Sequence, residues 1–223
     1  MLFCAFSLAV GLVSAPGQET PEAKKEEPKA EAKPAGTNLQ EVAVIKTNEG
    51  DLVVELWSDV APKTVENFKK LAKQGFYDGT ASHRMIPGFM VQLGDPNTKD
   101  PTKEAVYGQG DPGYKIDAEF NERKHVRGVL SMARSGDPME RSGAMPRPQY
   151  ANTAGSQFFI CFGPTTTLDG RYTTFGKVIK GDDVLGKIEK IPVELNPNTG
   201  ERSKPKSRIS VESVKIVPAD SIK

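Results

Sequence analysis

Cysteine and histidine are nearly missing, at two of each in 223 residues. A structural zinc site of the usual kind takes four such ligands and would have to use all of them, so that chemistry is set aside and no metal is expected. Net charge is missing as well. Thirty Lys and Arg against 29 Asp and Glu leave +1, and no whole-protein field points at nucleic acid, an anionic membrane or an acidic substrate. No apolar run reaches the roughly 18 residues of a membrane helix. Aromatics are modest at 7%, while Gly at 21 and Pro at 17 are generous, which suits a turn-rich fold better than a helical bundle. The 37% hydrophobic content can furnish the core of one domain with an appendage.

The appendage comes first. Residues 2–13 carry no charge and are followed by Ser14, Ala15, Pro16 and Gly17. An apolar run of this length before small residues resembles a secretory signal, so residues 1–15 are expected to be removed and the protein exported, to the periplasm or another extracytoplasmic space, with no stable membrane span. Residues 16–40 then read as a tether. From Gln18 to about Gly36 the sequence is almost entirely Glu, Lys, Ala and Pro, with Pro21, Pro28 and Pro34 interrupting any helix. Loss of Cys4 with the signal would leave Cys161 without an intramolecular partner.

At Val42 the pattern changes to period two. Val42 and Val44, then Leu52, Val54 and Leu56, flank Asn48, Glu49 and Gly50, as in a β-hairpin. Pro62 opens a helical repeat of Val65, Phe68, Leu71 and Ala72 that stops at Gly75. Further strands are expected at residues 90–93, 128–133, 157–162, 173–178 and 209–217, and a second helix at 182–190. The apolar parity flips between Val211 and Val214, which predicts a bulge near Glu212 and Ser213. Many strands and two distant helices predict a mainly β fold, an antiparallel barrel closed so that no edge remains.

The densest chemistry lies in Ser82-His83-Arg84-Met85-Ile86-Pro87-Gly88-Phe89-Met90-Val91-Gln92-Leu93-Gly94-Asp95 and in Gly155-Ser156-Gln157-Phe158-Phe159-Ile160-Cys161. On these two segments, with Leu168-Asp169-Gly170 and Phe175-Gly176 following in order, the chain resembles the cyclophilin family of peptidyl-prolyl cis-trans isomerases over about residues 41–218, with 219–223 as a tail. The resemblance implies a closed eight-stranded antiparallel barrel capped by two α-helices, with a proline pocket on its outer wall and no cofactor. Carried over by position, it implies Arg84 as the catalytic arginine and Gln92 as the residue that orients it. Phe89, Met90, Phe159 and Leu168 would line the pocket, and Ala133, Arg134 and Gln157 the peptide groove. His83 precedes the arginine as the family's histidine does, and Tyr172 stands where a pocket histidine is common.

Four departures accompany the likeness. Ser82 replaces a usual Phe, Leu93 a Gly, Thr167 a Trp found in many eukaryotic members, and Tyr172 that histidine. Together they argue against tight binding of the inhibitor cyclosporin. Insertions at about 96–106 and 139–151 border the groove. Phe158 and Ile160, on the opposite parity from Phe159, are expected in the core, and His125 in the basic run 123–127 is expected in solvent. A Ser-His hydrolase using Ser82 or Ser131 is disfavoured because no Gly-x-Ser-x-Gly elbow or ordered triad is present. The expected partners are proline-containing peptides and unfolded or partly folded proteins, met by a monomer; the competing class is a non-catalytic proline-peptide-binding or chaperone module of the cell envelope.

Overall fold

The computed structural model describes residues 40–222. The expected signal and all but the end of the expected tether lie outside the described residues.

Strands β1 (Glu41–Thr47) and β2 (Gly50–Leu56) form the expected hairpin. Gly50 is obligatory at its turn: its φ is +131°, and a Cβ there would meet Val184 Cγ2 at 2.7 Å. The core face of β1 differs from expectation. Ala43 and Ile45 join the main core opposite Val54 and Leu52, whereas Val42 and Val44 take the other face. A hairpin buried on both sides offers two apolar parities, and the bulkier one is not the one pointing inward.

Helix α1 (Pro62–Lys73) runs as expected. Its first-turn N–H groups have a remote cap, since Lys63 N and Thr64 N donate to the Glu119 carboxylate at 3.1 and 2.8 Å. Phe68 from this helix meets Tyr77, Phe158 and Phe175 with ring centroids 5.3, 5.5 and 5.4 Å apart. Short strands β3 (Arg84–Ile86) and β4 (Met90–Leu93) come next, then β5 (Val129–Met132). The single-turn helix α2 (Pro148–Ala151) precedes β6 (Phe158–Cys161), β7 (Thr174–Lys180) and helix α3 (Asp182–Glu189). The chain ends with β8 (Val193–Leu195), β9 (Arg202–Pro205) and β10 (Val211–Pro218). Strands β8 and β9 pair only with each other; the remaining eight form one antiparallel sheet in the order β10-β1-β2-β7-β5-β6-β4-β3.

That order corrects the expected closed barrel. The sheet curls as a half-barrel but keeps two edges, β3 and β10; across the seam residues 79–82 meet the start of β10 through the bridge between Ala81 and Ser210 and through 2.8 Å bonds from Gly79 N to the Val211 carbonyl, Val211 N to the Thr80 carbonyl and Ser82 N to the Ile209 carbonyl. This short antiparallel contact reaches only the first residue of β10 and lies before the three-residue β3, so the two strands themselves do not pair and the sheet stays open. The predicted bulge is present: Lys46 pairs with Ser213 and Thr47 with Val211, leaving Glu212 unmatched.

Alternation along β4 and β6 divides the apolar side chains between two clusters. Val91, Leu93, Phe158 and Ile160 enter the main core with residues of α1 and α3, whereas Met90, Phe159 and Cys161 form a small cluster on the other face, joined by Phe89, Ala133, Leu168 and Tyr172. The site is built on this second face.

Candidate active site

Every expected site residue except His83 and Gln157 lines one recess of about 120 Å³. Its floor is apolar, from Met90, Phe159, Leu168 and Tyr172, and its rim is polar, from Arg84, Gln92 and Arg134. Phe89 reaches it from outside the strands, through the turn at Gly88, whose φ is +76°.

The walls are fixed by stacking. Tyr172 meets Phe159 edge to face at 5.9 Å on one side and carries the Arg134 guanidinium at 4.1 Å on the other. Burial, the largest influence, raises the Tyr172 phenol above its ordinary pKa, so it stays protonated. Arg134 donates to the Arg171 carbonyl from Nε at 3.1 Å and forms a fork on Glu140, with Nη2 2.6 Å from Oε1 and Nη1 3.0 Å from Oε2.

Glu140 belongs to the second insertion, which is a braced rim and not a free loop. Asp137 caps its first turn and accepts from Arg147 Nε and Nη2, both at 2.8 Å, while Arg171 donates to the carbonyls of Gly143 and Ala144 at 2.6 Å. Hydrogen bonds from Arg134 hold Glu140 below the usual carboxylate range, and those from Arg147 hold Asp137 well below it. Both pKa values are depressed on folding, so the bracing is complete above about pH 4, the unfolded value, and is lost as pH falls through the folded ones. Amide exchange across residues 139–147 should therefore be unchanged from pH 7 to 5 and accelerate only in stronger acid, after correction for intrinsic rates. Loss of protection already at pH 5 would show that these carboxylates do not hold the rim.

Beneath Phe159 lies a network the sequence did not disclose. His125 stacks on the Phe159 ring at 6.0 Å and is 1% exposed, which corrects the expectation of a solvated histidine. Its Nδ1 lies 3.0 Å from Asp169 Oδ1 and its Nε2 3.0 Å from Ser131 Oγ. Burial lowers its pKa despite the opposing pull of Asp169. The neutral ring then donates from Nδ1 to the carboxylate, and the single Ser131 hydroxyl proton lies between Nε2 and the Thr173 carbonyl, which is 3.1 Å from Oγ. The order Ser-His-Asp is that of a hydrolase, but Ser131 is fully buried and no acyl group can reach it. The basic run misled because only its flanks are charged: residue 125 points inward and its backbone N–H also bonds Asp169, at 2.8 Å. Ser131→Ala leaves the buried imidazole nitrogen without its partner and should destabilise the fold by about 1–3 kcal/mol. An unchanged denaturation midpoint would remove the network from the stabilising set.

The remaining expected residues divide. Gln157 lines a larger adjoining recess of about 310 Å³ that shares Gln92, Ala133 and Arg134 with the first. Its Nε2 donates to the carbonyls of Gly108 and Gly110 at 3.0 and 2.7 Å. The structure does not join Gln92 to Arg84. The two are direct cross-strand partners, yet Gln92 Nε2 donates to Gln157 Oε1 at 2.9 Å, and Arg84 is held elsewhere, with Nε 2.7 Å and Nη2 2.9 Å from the oxygens of Glu201. Glu201 had no sequence signal, since it follows an irregular turn more than a hundred residues away.

The structure does not bring His83 into the recess with Arg84. Neighbours on an extended chain face opposite ways, so Arg84 turns to the pocket and His83 into a separate recess between residues 96–108 and 196–208. Burial there, reinforced by Arg84 and opposed by Asp95, pushes its pKa down to about 4.

A family model described as cyclophilin type peptidyl-prolyl cis-trans isomerase/CLD matches residues 42–216. The chain belongs to the cyclophilin family. A curated relative, the peptidyl-prolyl cis-trans isomerase of Synechococcus elongatus, is 44% identical over 135 residues, 60% of this chain and 78% of the relative. The peptidyl-prolyl cis-trans isomerase-like 2 of Cryptococcus neoformans is 49% identical over 152 residues, or 68% of this chain, but the match spans only 24% of that longer protein. A crystal structure of a Cryptosporidium parvum cyclophilin type isomerase, obtained in the presence of the dipeptide Ala-Pro, superposes with a TM-score of 0.64 at 34% identity, covering 79% of this chain and 98% of that one. The small face cluster thus lies on a cyclophilin half-barrel.

Proposed function

We propose that this cyclophilin is a working prolyl isomerase that exchanges cis and trans X-Pro bonds in unfolded or partly folded proteins outside the cytoplasm. The observation that carries the reading is the placement of Arg84 at the rim of an apolar recess. Rotation about a peptide bond is slow because the nitrogen lone pair is delocalised into the carbonyl, with a barrier of about 18–20 kcal/mol. In the twisted state that pair is localised on nitrogen and accepts a hydrogen bond that neither planar state accepts as well. A guanidinium donor beside the prolyl nitrogen therefore favours the transition state over both ground states. One such donor is worth roughly 3–4 kcal/mol, whereas a millionfold acceleration needs about 8. The remainder is assigned to Met90, Phe159, Leu168 and Tyr172, which grip the ring, exclude water from the arginine and leave one side of the bond free to turn. The Ala-Pro dipeptide in the related structure's crystallisation supports the choice of ligand. The uncharged run at residues 2–13 supports export.

Cis-to-trans exchange of a proline tetrapeptide tests the reading. Addition of the protein should accelerate it, and a chelator should leave the acceleration intact. Peptide binding without acceleration would establish the non-catalytic binding module instead, and loss of activity with chelator would overturn the mechanism.

A further inference from the structure

The only polar partner of the Arg84 guanidinium among the described residues is Glu201, and the pair has the side-on fork geometry in which one carboxylate oxygen takes Nε–H and the other Nη2–H. A guanidinium has five N–H donors, so three remain for a substrate. The pair is about one-third exposed on each side, at 31% and 36%, and such pairs add little to stability. Its effect must be sought in the orientation of the arginine. Arg84 stands on a three-residue edge strand with a single hydrogen-bonded neighbour, and Gln92, across from it, is engaged with Gln157. Without a partner, its long side chain would sample many rotamers.

Glu201 is itself held firmly. Its carbonyl accepts from Asn196 N at 2.7 Å, and the Asn196 carbonyl in turn accepts from Gly200 N at 2.8 Å, closing the turn between β8 and β9. Asn198 Nδ2 donates to the Glu104 carbonyl at 2.8 Å, and Lys204 Nζ lies 2.6 Å from Glu104 Oε1. The β8–β9 hairpin and the first insertion thus brace each other and present one carboxylate to one arginine. Hydrogen bonding to Arg84 lowers the Glu201 pKa, which keeps the pair ionised at neutral pH.

We propose that Glu201 is a positioning residue for the isomerase reaction, holding the guanidinium of Arg84 by its Nε edge so that its free N–H groups are offered to the prolyl nitrogen. The proposal rests on the reading of Arg84 as the catalytic donor. Orientation matters when the substrate amide twists, so Glu201→Gln should lower kcat about tenfold, the scale of one oriented charge-assisted bond, and leave KM within about twofold. The melting temperature should stay unchanged. Independently of activity, the Arg84 Nε–H proton should give a slowly exchanging NMR signal in the wild type and a fast-exchanging one in Glu201→Gln. In an Arg84→Ala background the second change should have no further effect. If Arg84→Ala is as active as wild type, the underlying assignment of the donor is wrong. If Arg84→Ala is impaired while Glu201→Gln matches wild type, the positioning role alone is overturned. A Glu201→Gln variant faster than wild type would also overturn it, marking the pair as an inhibitory latch.

Discussion

Arg84→Ala is expected to lower kcat/KM for a proline peptide by roughly 10²–10³, the scale for losing one preorganised transition-state donor. The fold should tolerate the change. The side chain is about one-third exposed, its two hydrogen bonds go to one carboxylate exposed to a similar degree, and Glu201 can be rehydrated when the guanidinium is gone. Activity should therefore fall with no matching fall in melting temperature. Arg84→Lys should recover little, because an ammonium is a compact point charge that cannot fork onto Glu201 and reach a prolyl nitrogen in the same pose. Three proteins of equal activity would move the chemistry away from this residue.

The largest effect on stability is expected at Phe68. Its ring is 1% exposed and touches three other aromatics, so truncation removes the centre of a packed group contributed by α1, β6, β7 and the loop after α1. Phe68→Ala should cost about 3–5 kcal/mol, the usual range for a buried phenylalanine, since the surrounding rings belong to different elements and cannot all collapse into the void. In a domain of this size that corresponds to a fall in melting temperature of roughly 6–20 °C. Chemical denaturation measures it directly. A loss under about 1 kcal/mol would mean that the core repacks freely. The molecules that remain folded should keep their kcat/KM, because Phe68 faces the main core and the recess lies across the sheet.

What could be read from the sequence followed the range of the interaction concerned. Helix α1 was legible because its signals are local: Pro62 at the start, Gly75 at the end and apolar residues at helical spacing between them. The separation of Phe159 from Phe158 and Ile160 was legible because strand alternation is rigid. The recess itself was found through family resemblance, since no local rule distinguishes an apolar wall from a core. Contacts made across long sequence separations left no trace. Glu201 reaches Arg84 from 117 residues away, and Asp169 reaches His125 from 44. The β8–β9 hairpin was missed although Asn196, Pro197, Asn198 and Gly200 are turn residues, because its flanking strands are only three and four residues long. The open seam was missed for a related reason: barrel closure depends on where two distant strand ends meet, and β3 is too short to announce itself.

That seam bears on how the protein behaves in the company of other copies. An open sheet displays unpaired backbone donors and acceptors, and such rows invite strand addition and aggregation. Here one edge offers only Arg84–Ile86, too short to template a ladder. The other, β10, has a bulge at Glu212, a solvent-facing Lys215 and a terminal Pro218, which lacks the N–H an added strand would need. Each device opposes extension by a second chain, so a barrel left open at one place resists edge-to-edge growth much as a closed one would, and a concentrated preparation should remain free of β-type aggregates.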